Sequence, residues 1–107
     1  MISVVLFQKE NKIHAFELSG HANSGPHGYD LVCAGVSAVT FGAVNALIEL
    51  CDVDPEIHQE DEGGYLYIEI PKSFKNEADV QTILQTMVVS LETIERDYQS
   101  FIQIKRK

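Results

Sequence analysis

Asp30-Leu31-Val32-Cys33-Ala34-Gly35-Val36-Ser37-Ala38-Val39-Thr40-Phe41-Gly42-Ala43-Val44-Asn45-Ala46-Leu47-Ile48-Glu49-Leu50 decides the fold. Wound as a helix, it is apolar on nearly every side, so a single covering layer cannot satisfy it. Asp30 is a good N-cap for its start. Gly35 and Gly42 share a stripe with Ala38 and Ala46 nearby. Glycine costs a helix about 1 kcal/mol against alanine. Close approach to a sheet or a second helix is expected to offset that cost. With 107 residues, one domain spanning 1–107 with one core is the expectation. The covers available are therefore a sheet, another helix and a second copy of the chain.

On the N-terminal side, residues 1–8 carry β-branched residues and read as a strand, and Glu10-Asn11-Lys12 as a turn. From Ile13 to Ser19, apolar Ile13, Ala15, Phe16 and Leu18 intersperse with His14, Glu17 and Ser19. That predicts an antiparallel hairpin. Gly20 to Tyr29 holds three glycines and one proline, a loop of functional length. On the C-terminal side, residues 51–62 read as loop and short strand. Gly63-Gly64 signals a hairpin turn. Tyr65 to Ile70 reads as a strand stopped by Pro71. Asn76 is a candidate cap for a second helix. Its apolar positions Val80, Ile83, Leu84, Met87, Val88, Leu91, Ile94 and Tyr98 follow helical spacing. Phe101, Ile102 and Ile104 suggest a last strand. The order ββαββαβ implies an α+β two-layer sandwich: a mainly antiparallel sheet with two helices on one face.

The net charge is −8, and three of the eight basic residues are Lys105, Arg106 and Lys107. Direct nucleic-acid binding, which needs clustered Lys and Arg, is not expected. The segment Met1 to Phe7 lacks a basic leader and reads as strand rather than signal peptide. Ser37, Thr40, Asn45 and Glu49 interrupt the long apolar run, so no membrane span is expected. Cytoplasmic residence is the default. Cys33 and Cys51 sit near opposite ends of one helix, roughly 27 Å apart by helical rise. A disulfide needs Cα atoms within about 7 Å.

With Asp30 as N-cap, Cys33 falls in the first helical turn, where unsatisfied N–H groups and the macrodipole favour an anion. A thiol near pKa 8.5 can drop by a unit or more at such a site. His21 lies twelve residues earlier, where the second strand gives way to the loop. Within hydrogen-bond reach, the pair would be an activated nucleophile and its acid/base. First-turn amides could hold an oxyanion, and Ser37 lies one turn after Cys33 on the same face. Each has a plainer reading: Cys33 as core, Asp30 as cap alone, Ser37 as a small packing residue. His27 reads as a solvated loop residue, His14 and His58 carry no ligand spacing, and Cys51 reads as packing. A zinc site from His21, His27 and Cys33 lacks a fourth ligand, so no metal or cofactor is expected. The acidic run Asp52, Asp54, Glu56, Glu60, Asp61 and Glu62 is either a solvated face or an attractor of basic peptide.

Gly20-His21-Ala22, then Gly28-Tyr29-Asp30-Leu31-Val32-Cys33-Ala34-Gly35-Val36-Ser37, resembles the ribosomal-processing cysteine protease Prp family. Leu84-Gln85-Thr86-Met87, Ser90-Leu91 and Ile94-Glu95 are similar to it as well, so the resemblance covers essentially the whole chain. Leu31 stands where the family usually has isoleucine. The resemblance implies a small α/β sandwich, usually a homodimer. It implies a cysteine endopeptidase with Cys33 as nucleophile and His21 as general base, supported by Asp30 and Ser37. A mobile loop containing Gly25, Pro26 and Gly28 would order over substrate. The implied substrate is a large-subunit ribosomal protein carrying an N-terminal extension, a basic partner suited to an acidic surface. The alternative is a non-enzymatic, ribosome-associated assembly or binding module in which Cys33 only packs.

Overall fold

The computed structural model describes residues 1–21, 30–61, 63–72 and 75–107. Its elements run β1 (Ile2–Lys9), β2 (Lys12–Ser19), α1 (Leu31–Cys51), β3 (Glu56–Gln59), β4 (Tyr65–Glu69), α2 (Glu77–Asp97) and β5 (Ile102–Arg106). The order is the expected ββαββαβ. The strands form one sheet in the order β3-β4-β2-β1-β5. Every neighbouring pair is antiparallel except β1 with β5, which is parallel.

Register explains the core. Val4 pairs with Leu18 and Leu6 with Phe16. Phe16 then pairs with Ile68, Leu18 with Leu66, and Ile2 with Ile102. Because side chains alternate across a sheet, these pairs line a single face. There they join Val36, Val44 and Leu47 of α1 and Val80, Leu84 and Leu91 of α2 in one buried cluster. The irregular spacing of Ala15 and Phe16 has a structural cause. The β1–β2 register shifts so that Phe7 faces Ala15 while Gln8 faces Ile13. This bulge turns Ile13, rather than His14, into the core. Glu10 and Asn11 both take positive φ, 55° and 66°, in the turn.

Asp30 caps α1 as expected: its Oδ1 accepts from the Cys33 N–H at 3.0 Å. Asn76 stands at the expected start of α2 but does not cap it with its side chain. Its backbone is left-handed, φ 62°, and its Nδ2 donates to the Cys51 carbonyl at 3.3 Å, closing the end of α1 instead. Glu77 and Asp79 occupy the first turn of α2, where the helix dipole favours negative charge. Tyr98 falls just past α2 and is 45% exposed, so the buried stripe ends at Leu91, with Ile94 partly buried beyond it.

Two expectations for α1 are corrected. Contrary to the reading from its polar interruptions, α1 is long and apolar enough to cross a membrane by length and composition. Hydroxyls and small residues dilute its apolarity too little to prevent that; here one stripe of it is buried against the sheet and α2. Of the two helical glycines, only Gly35 meets a neighbour: a β-carbon there would touch Ile94 of α2 at 3.7 Å. That is ordinary contact which alanine could also make, and nothing lies within 4 Å of such a carbon at Gly42, so close approach accounts for neither glycine.

Candidate active site

β2 and α1 bring the two candidate reactive residues to one place. His21 follows the last residues of β2, and Cys33 is the third residue of α1. Both line a cleft of about 240 Å³ together with Ser37. Leu18 and Val36 form apolar wall, Gln59 and Glu60 bring the end of β3, and Tyr65 the start of β4. Cys33 is half-buried and His21 exposed, so the thiol has a wall on one side and access on the other.

Local chemistry fixes each residue. Asp30 holds the Cys33 amide, and the Asp30 carbonyl accepts from the Ala34 N–H at 3.0 Å. Cys33 is thereby pinned in the first turn of α1, where the backbone presents positive potential. Gly20 takes φ +90°, and a β-carbon on it would strike the Met1 carbonyl oxygen. Only glycine turns the chain there without conflict. Its N–H donates to the Gly64 carbonyl at 2.8 Å, tying the end of β2 to the β3–β4 turn just before His21.

Asp30 acts as a cap and Ser37 faces the cleft; Gly25, Pro26 and Gly28 lie outside the described residues. Cys51 is buried, as expected of a packing residue, and no disulfide joins it to Cys33. Sequence reasoning missed the far wall. The Gly63-Gly64 turn was legible, but not that it reaches His21, because β4 pairs with β2 across a long connection. Tyr65, on that wall, donates its hydroxyl proton to Glu17 Oε2 at 2.9 Å. That bond, with some burial and the Glu17 charge, raises the Tyr65 pKa above its ordinary value. Tyr65 therefore stays neutral and anchored to β2.

A family model described as cysteine protease Prp matches residues 1–103. The chain is 48% identical over 107 residues to the ribosomal processing cysteine protease Prp of Bacillus subtilis (strain 168), covering 97% of this chain and 96% of that one. It is 44% identical over 108 residues to the protein of the same name from Staphylococcus aureus (strain Mu50), covering 100% of both. Its fold matches the crystal structure of an essential ribosomal processing protease Prp from S. aureus in complex with a covalently linked product peptide. That match has a TM-score of 0.92 at 44% identity and covers 100% of both chains. A structure of the S. aureus protease with a substrate peptide matches at TM-score 0.86 and 42% identity, again over 100% of both chains.

Proposed function

Because the chain belongs to the cysteine protease Prp family, we propose that Cys33 and His21 are its catalytic dyad and that it removes the N-terminal extension of a large-subunit ribosomal protein. The chain is a cysteine protease that processes ribosomal protein, so the non-enzymatic alternative falls away. The observation that carries the dyad is the shared cleft, which takes Cys33 from a helix start and His21 from a strand end.

The chemistry follows from those positions. His21 accepts the proton of the Cys33 thiol, and the thiolate attacks the carbonyl carbon of the scissile bond. The resulting oxyanion needs N–H donors. The first turn of α1, whose N–H groups and dipole favour negative charge, is where such donors would come from. The C–N bond then breaks, and the amine departs with the proton from His21. The extension remains as a thioester on Cys33. Water, deprotonated by His21, attacks that thioester and releases the extension as a carboxylic acid. Ser37, facing the same cleft, supports the site with its hydroxyl.

The partner readings rest on surface chemistry. A net charge of −8 and the cleft residue Glu60 suit a basic ribosomal protein. A homodimer is supported by α1, whose Ala34, Ala38, Phe41 and Ile48 stay exposed on an apolar helix. A second copy would cover that face. A single protease domain over 1–107, working in the cytoplasm where ribosomal proteins are made, completes the reading. The test is incubation with the extended ribosomal protein, followed by intact-mass measurement. One cut that releases the extension is expected; an unchanged mass with folded enzyme, or cuts confined to the mature region, would refute the assignment.

A further inference from the structure

The β3–β4 turn presents two consecutive glycines with nearly equal positive φ, +80° at Gly63 and +82° at Gly64. Their surroundings differ. A β-carbon built on Gly63 would meet nothing within 4 Å. One built on Gly64 would lie 2.8 Å from Nε2 of His21 and 3.3 Å from Cε1. The bare Cα of Gly64 is thus the surface on which one edge of the imidazole rests. The same residue's carbonyl accepts the Gly20 N–H at 2.8 Å, so the turn grips both the backbone leading into His21 and its ring.

We infer that Gly64 is a positioning residue for the reaction: its missing side chain lets the His21 imidazole sit where it can exchange a proton with Cys33. The inference rests on the reading of His21 as the base. A methyl group at Gly64 cannot share space with the ring. The ring is the far end of a rotatable side chain, largely exposed, and it yields more easily than backbone does. The chain therefore still folds, with the base displaced. Misplacing a catalytic group by about 1 Å can cost on the order of 100-fold in rate.

The matched turn supplies its own control. Gly63→Ala carries a similar left-handed strain in open space, so both alanine variants should lose thermal stability alike. Gly64→Ala is expected to lose kcat by about 100-fold; Gly63 also lines the cleft, so its alanine variant can change KM, and the comparison is made on kcat alone. The pH dependence of Cys33 alkylation, read on the Cys33 peptide by mass spectrometry, should move toward that of His21→Ala in Gly64→Ala and stay in place in Gly63→Ala. In the unmodified protein, nuclear Overhauser cross-peaks should join the Gly64 α-protons to the His21 ring protons. Equal losses in the two glycine variants, no loss in either, or absent cross-peaks would overturn the role of Gly64 while leaving the dyad intact. Full cleavage by His21→Ala would overturn the dyad, and the positioning role with it.

Discussion

Asp30 does two jobs with one residue: it starts α1 and, through the Cys33 amide at 3.0 Å, it fixes where the thiol stands. Both were legible in the sequence because capping is a local rule linking residues three apart. Ser37 was legible for the same reason, one helical turn further on. Gly64 was not, since its meeting with His21 depends on β4 lying beside β2, a pairing that no local pattern encodes. Asn76 shows the limit from the other side. Its type suits a cap, yet tertiary contact turns its amide toward the Cys51 carbonyl. Asp30→Ala should lower unfolding free energy by about 1 kcal/mol, and Asp30→Asn should restore most of it. Urea titration of the three proteins checks this; equal midpoints would show that the cap contributes nothing.

Among the elements, α1 was the most legible and the most instructive. Its length and cap follow from sequence, and its apolar circumference predicted more than one cover. Leu47 is fully buried in the shared core, so Leu47→Ala should cost about 2–5 kcal/mol through lost transfer energy and the cavity left behind. A urea midpoint close to wild type would mean that α1 is not seated on the sheet as described. The bulge that aims Ile13 inward was visible only as an irregular doublet, Ala15 beside Phe16. At the cleft wall, the Tyr65–Glu17 bond joins β4 to β2. Because folding raises the Tyr65 pKa, its contribution is complete below the ordinary tyrosine value and is lost as pH climbs through the folded one. The melting-temperature gap between wild type and Tyr65→Phe should hold steady from about pH 7 to 9 and shrink above about pH 10. A gap that widens above that point would contradict the assignment.

For the whole molecule, one sheet face carries both helices, and the chain closes its cleft with residues from β2, α1, β3 and β4. The two-layer class could be read from element order alone. The strand order could not, because the parallel β5 inserts beside β1 only after the whole chain has been traversed. The apolar outer stripe of α1 makes a definite demand at this scale. Ile48, 42% exposed, should lie within the contact if the proposed homodimer forms through α1. Ile48→Glu is then expected to shift sedimentation from dimer to monomer with little change in the fold, whereas a monomeric wild type would dismiss that contact. Proteolysis depends on the same assembly of distant segments, and its central claim is that Cys33 and His21 act as a pair. The most direct test is single-turnover cleavage of the extended ribosomal protein by wild type, Cys33→Ala and His21→Ala, with folding of each verified. The account predicts loss of the extension with wild type, none with Cys33→Ala, and a rate reduced by roughly 100- to 10,000-fold with His21→Ala; cleavage by Cys33→Ala at the wild-type rate would contradict it.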